Sequence, residues 1–302
     1  MTAFKALQEY KISHGRMVVV IESSEESGSP DLPHYIRKLK GRLGELALIV
    51  CLDSGCGNYE QFWMTTSLRG IVAATLKVSL LKEGVHSGAG TGIYASSFRV
   101  IRELLDRIED SKTGKILLEE LYTEIPKLRI EQAEVAAKYL GDTIFTEFST
   151  QEGVEPVTKD LKELLLNKTW RPTLAVTGAG GFPPIERAGN VLRRETVLKL
   201  SFRIPPGVDA QKALDVIHDK LTHNPPYGAK VEFIKEEPDN GWQAPLEEEW
   251  LIESVKKASE TFYDGKPSAA FGEGGSIPFM GMLGDMFPKA QFVVTGLLGP
   301  KR

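Results

Sequence analysis

Apolar and polar positions along the chain follow three successive styles. Near the start, runs that are apolar at every position alternate with helical stretches. Met1–Tyr10 has helical spacing, Met17–Ile21 (MVVVI) is wholly apolar, Asp31–Leu43 is helical again, and Leu46–Leu52 (LALIVCL) is a second apolar run. Asp31 stands where it would cap its helix, with Pro33 in the first turn. Strands apolar on both faces and separated by helices predict a parallel sheet covered on two sides.

After Arg69 and Gly70 the period changes. In Thr75–Leu80, the residues Leu76, Val78 and Leu80 alternate with Thr75, Lys77 and Ser79, and Leu198–Ile204 alternates in the same way. Each predicts a strand with one buried and one wet face. Phe98, Ile101, Leu104 and Ile108 mark the stripe of an amphipathic helix, and Asp209 caps another that carries Leu214, Ile217 and Leu221. Lys230–Ile234 reads as a further strand. From about Pro245 the first style returns, with a helix through Tyr263, a Gly-rich turn at Gly272–Ser276 and an apolar strand at Gln291–Gly296. The expected fold is therefore an α/β domain, mostly parallel sheet with helices on both faces (1–68 and 239–302), interrupted by an inserted α+β domain (69–238). The charge-rich, helical stretch Ser111–Lys168 receives no role from the pattern.

Composition narrows the function. With 302 residues, 41% hydrophobic and 26% charged, the chain is of ordinary globular make-up, and its net charge of −4 offers no basic footprint for nucleic acid. Its longest apolar runs are far below the roughly 20 residues of a membrane span. The N-terminal residues lack the cationic and apolar regions of a secretory signal. Two cysteines, Cys51 and Cys56, are too few for a disulfide framework or a structural zinc site, and fit reduced thiols in a cytoplasmic protein.

Three carboxylates follow the two apolar runs directly. Glu25 and Glu26 lie in the loop SSEESGSPDL and Asp53 in LDSGCGN, and sites in open parallel sheets form at the carboxyl ends of strands. Converging there, they would suit a divalent metal and a general base. By spacing alone, the same residues better suit helix caps and loop surface.

The segment EESGSPDL resembles the Glu-Glu loop of the di-zinc peptidases that include carnosinase-like dipeptidases, aminoacylases and glutamate carboxypeptidases. The resemblance continues through LRGIVAATLKVSLLKEGVHSG, TWRPTLAVTGAGG, TVLKLSFRIPP and GEGGSIPF, and so covers most of the chain. It implies that Glu25 is the general base and that Glu26 and Asp53 are metal ligands, with two zinc ions in a complete member and manganese as a possible substitute. His86 of the His-Ser-Gly motif would reach across a homodimer, formed through the inserted lid domain, to polarise the scissile carbonyl of a partner's substrate. Arg203 and Ser276 would bind the carboxylate of a dipeptide or short peptide, and Asn190 stands where relatives carry a small polar residue near the substrate.

The resemblance also implies a shortfall. None of the five histidines, His14, His34, His86, His218 and His223, has an Asp two residues on, so the family's His-x-Asp motif is missing. The sequence runs out at Leu298–Arg302, where the family's last His ligand would follow. The expectation is a dipeptidase-type metallopeptidase truncated at both ends and inactive in isolation. A non-catalytic dimerisation fragment and an N-acyl amino acid deacylase are the alternatives. Trp170-Arg171-Pro172 and Gly274–Pro278 favour the dipeptidase branch. The triplet Asp53-Ser54-Gly55 also resembles an aspartic protease signature, but it occurs once and in α/β surroundings.

Overall fold

The computed structural model describes residues 2–299, apart from the side chain of Glu26. The chain forms two compact units, Met1–Leu46 and Ala47–Arg302.

The first unit holds helices Thr2–Glu9 and Leu32–Leu43 and a 3-10 turn at Glu25–Ser27. The turn closes on Gly28, whose φ of 85° is a left-handed conformation that glycine adopts without a Cβ clash. Arg16 donates to the carbonyls of Leu43 (3.1 Å) and Arg42 (2.6 Å), satisfying acceptors that the end of the second helix leaves open. Two expectations are corrected here. Met17–Ile21 is irregular and exposed rather than a strand, with Ile21 88% accessible. A strand exists only through its ladder, and these residues find no ladder partner among the described residues. Asp31 occupies the N-cap position, but its side chain makes no capping bond.

The second unit contains strands β1 (Leu48–Cys51), β2 (Trp63–Leu68), β3 (Gly70–Ser79), β4 (Val85–His86), β5 (Thr173–Gly180), β6 (Val191–Leu192), β7 (Glu195–Ile204), β8 (Lys230–Lys235), β9 (Trp242–Gln243), β10 (Ala269–Glu273) and β11 (Gln291–Val294). Parallel pairing joins β1 to β11 and β2 to β10, while β9 adds to β2 antiparallel. β1 is not buried on both faces as its apolar run predicts: Val50 is 54% accessible. A pair of strands leaves much of its flanks uncovered.

The half-buried strands form one antiparallel sheet in the order β5-β7-β3-β8. All ten residues of β3 pair with β7, from Gly70↔Ile204 to Ser79↔Glu195. The period of two turns Val72, Leu76, Val78, Leu200, Phe202 and Ile204 inward, each fully buried. Helices Ser97–Leu105 and Ala210–Thr222 supply Ile101, Leu104, Leu214, Ile217 and Leu221 to the same core. Asp209 caps the second of these by accepting from Lys212 N at 2.9 Å. Phe98 departs from the expected stripe. It lies in the first helical turn, 45% exposed, and packs edge-on against Phe182.

The stretch that the pattern left without a role builds a second core. Helix Lys127–Leu140 turns Ala133, Ala136 and Ala137 inward, and helix Leu161–Thr169 adds Leu165 and Leu166. Both close over Trp63 of β2 and Ala269 of β10, and Trp170, which ends the second helix, joins the same core. Alanines at i, i+3 and i+4 form one smooth helix face, which allows close approach to the strands.

Candidate functional site

The site is built around the turn that follows β10. Leaving Glu273, the chain runs through Gly274, Gly275 and Ser276, and the side chain of Ser276 meets Arg203 from β7. Arg203 Nη1 donates to Ser276 Oγ at 3.4 Å. Arg203 belongs to the wet face of its strand, opposite to buried Phe202 and Ile204, which is why a guanidinium fits there. Partial burial lowers its pKa by disfavouring the charged form.

Arg69 stands behind this pair, between the last residue of β2 and the first of β3. It is only 8% exposed. Its Nε donates to Gly274 O (3.1 Å), and its Nη1 to Thr173 Oγ1 (3.0 Å) and Arg171 O (3.4 Å). Burial, and then the positive charge of Arg203, bring its pKa down to about 10, so it stays protonated at neutral pH. A Cβ on Gly274 would stand 3.0 Å from Lys168 O and 3.2 Å from Arg69 Nη2, a tight fit that its neighbours would have to relieve by a few tenths of an ångström.

Next to the turn lies a cavity of about 670 Å³, lined among others by Asp53, Cys56, Trp63, Tyr263, Glu273 and Ser276. Asp53 is exposed on the loop after β1, and Ser54 in that loop is tied to Thr65 of β2, Oγ to Oγ1, at 2.6 Å. The structure thus brings Asp53 and Ser276 to one cavity, and Arg203 to Ser276. A guanidinium against a hydroxyl that lines the cavity, with a second guanidinium bonded to the same turn, makes an arrangement that can hold a carboxylate.

His86 and Asn190 form a separate pair. The short β4–β6 ribbon sets His86 opposite Val191, and Ser87 N donates to Asn190 O at 2.8 Å. Both residues are exposed, and His86 Nδ1 accepts from Gly88 N at 3.2 Å, capping the helical turn Ser87–Gly90. Glu25 sits in the 3-10 turn of the first unit. The side chain of Glu26 lies outside the described residues, as do residues 300–302.

Sequence reasoning overlooked Arg69 and Thr173 as parts of the site. The only local signal for Arg69 is a cation set between apolar Leu68 and Ile71 at a change of strand period.

Comparison with known proteins gives this geometry a family. The peptidase dimerisation domain of the M20 peptidases matches residues 66–229, more than half of the chain. The chain is 24% identical to the cysteinylglycine-S-conjugate dipeptidase of Corynebacterium striatum, over 99% of its own length and 64% of that protein's. It is 25% identical to the Cys-Gly metallodipeptidase DUG1 of Candida albicans, over 87% of its length and 54% of that protein's. It therefore spans less than two thirds of these relatives. Among solved structures, human carnosine dipeptidase 1 superposes with a TM-score of 0.69 at 19% identity, over 98% of this chain and 62% of that one. The dipeptidase Dug1p of Saccharomyces cerevisiae gives 0.66 at 20% identity, over 91% of this chain and 57% of that one. Sheets, inserted antiparallel domain and matched residues agree, and the chain belongs to the M20 peptidase family, whose dimerisation domain it carries.

Proposed function

We propose that this chain serves the hydrolysis of the peptide bond of dipeptides or short peptides, and that it contributes the side of the site that grips the substrate's free carboxylate. The observation that carries this reading is the meeting of Arg203 Nη1 with Ser276 Oγ at 3.4 Å beside the cavity. A guanidinium offers a fork of donors to a carboxylate, and the Ser276 hydroxyl adds another. The relatives named as dipeptidases, two of them for cysteinylglycine or Cys-Gly, favour a small peptide over an acyl amino acid. In this reading residues 69–238 are the dimer-forming lid, and 1–68 with 239–302 belong to the catalytic domain. His86, exposed on its ribbon, would serve a second copy's substrate, with Asn190 beside it. Two cysteines, too few for a disulfide framework, suit a cytoplasmic setting.

The family implies a divalent metal, zinc in the first place, with Glu25 as base and Glu26 and Asp53 as ligands. The donors described here do not fit a two-metal centre. Among the described residues no three His, Cys, Asp or Glu side chains gather as a metal site, whereas a stable site takes about four ligands per ion.

Calorimetric binding of glycylglycine against glycylglycinamide tests the carboxylate grip. A charge-assisted hydrogen bond contributes about 1.5–3 kcal/mol, so the free acid should bind roughly 10–100-fold more tightly, and Arg203→Gln should remove the difference. Equal binding of acid and amide by the unaltered chain would overturn the reading.

A further inference from the structure

We propose that Arg69 is a positioning residue for carboxylate recognition: it clamps the Ser276 turn to the strand beside Arg203 and sets a second, buried positive charge behind both. The inference rests on the carboxylate-binding reading given above.

Two segments far apart in sequence converge on one guanidinium. Through Nε, Arg69 holds the carbonyl of Gly274, two residues before Ser276. Through Nη1 it holds Thr173 Oγ1 and Arg171 O at the start of β5. Thr173 is the register partner of Arg203 in the β5–β7 ladder. One side chain therefore spans from the backbone beside Arg203 to the backbone that carries Ser276. The 3.4 Å approach of those two groups depends on how these backbones are spaced.

The clamp needs an arginine. Its acceptors are met by two different nitrogens, Nε and Nη1, and are 205 residues (Gly274), 104 residues (Thr173) and 102 residues (Arg171) away along the chain. A planar guanidinium serves them at once, whereas a lysine ammonium acts as a single point charge. Gly274 makes room, since a Cβ there would stand 3.2 Å from Arg69 Nη2.

The charge has a consequence of its own. The bonds of Arg69 run to neutral oxygens, and Arg203 lies near enough to oppose its protonation. Two like charges held close, partly out of water, repel, and an anion arriving at Arg203 relieves that repulsion. Arg69 therefore raises affinity for a carboxylate ligand but not for its uncharged amide.

The experiment uses the full chain and calorimetric titration with glycylglycine and glycylglycinamide. The readout is the acid-to-amide affinity ratio, which a merely structural defect would leave unmoved by weakening both ligands alike. Arg69→Gln is expected to cut the ratio by at least 10-fold. Arg69→Lys is expected to restore part of it while leaving faster hydrogen exchange at Gly274–Ser276. Should Arg69→Gln fail to fold, Arg69→Lys decides: wild-type ratio and wild-type exchange would overturn the inference. If the unaltered chain shows no preference for the acid, the carboxylate reading itself fails and this inference goes with it. If that preference exists and falls with Arg203→Gln, but Arg69→Gln keeps it, only the role of Arg69 is refuted.

Discussion

Gly70 opens β3 at the point where the chain passes from one sheet to the other, and Gly70→Ala tests how tightly that passage is built. A Cβ there would stand 2.5 Å from Asp239 O, 2.7 Å from Gly241 N and 3.0 Å from Asn240 C. All three are backbone atoms, so no side chain can swing aside. The displaced segment is held by two bonds, Ile71 N to Asp239 O and Asp239 N to Ile71 O, each 2.9 Å. Losing both costs about 2 kcal/mol at roughly 1 kcal/mol each. Overpacking adds about 1–3 kcal/mol. Alanine's lower entropy cost in a strand returns about 0.5–1 kcal/mol. The net destabilisation is then roughly 2–4 kcal/mol. All four tryptophans, Trp63, Trp170, Trp242 and Trp250, lie in the second unit, so their fluorescence reports the unit that carries the substitution. With a urea slope of about 3 kcal/mol/M, the midpoint should fall by roughly 1 M. Gly180→Ala is the control, because its added Cβ meets only Val197 Cβ at an ordinary 3.5 Å. It should hold or slightly raise the midpoint. A wild-type midpoint for Gly70→Ala would refute the close approach of the two backbones.

Further expectations follow from the same structure. Phe202→Ala empties a fully buried position between the antiparallel sheet and its helices. It should cost about 3–5 kcal/mol in denaturant unfolding, and a loss under 1 kcal/mol would contradict that packing. Burial first, and then the charge of Glu237, hold the Asp239 carboxyl above its ordinary value of 3.8. The native state therefore binds that proton more tightly than the unfolded chain. This contribution is fully present below pH 3.8 and is lost as pH rises through the raised value. Asp239→Asn should flatten the stability-pH curve in that window, and an unchanged curve would count against the assignment. Equilibrium dialysis of the purified chain against zinc should leave fewer than two tightly held ions, given its described donors. Two tight ions per chain would mean that ligands come from outside this set.

Much of the fold was legible because burial imposes a period on the residues that experience it. β3 and β7 show strict alternation, since each has one face on the core and one in water, and their register keeps the buried sets together. Asp209 was legible as a cap because a cap is a local bond. The apolar run at Met17–Ile21 misled for the converse reason: β-branched composition favours a strand but does not supply a neighbouring one. The stretch Ser111–Lys168 read as helical but received no role, in part because the helix Lys127–Leu140 buries mainly alanine, which carries little amphipathic signal.

For the site, motif resemblance pointed to Arg203 and Ser276, residues 73 positions apart that the structure joins by a hydrogen bond. The sequence by itself determined that β3 and β7 are half-buried, that Asp209 caps its helix and to which family the motifs belong, since these are written in local spacing and residue type. Only the tertiary structure decided that Arg69 lies under the Ser276 turn, that Asp53 shares a cavity with Ser276, and that Gly70 has no room for a side chain. Each of those is a contact across a hundred residues or more, and such contacts are set by how sheets and loops pack rather than by any pattern a single segment displays.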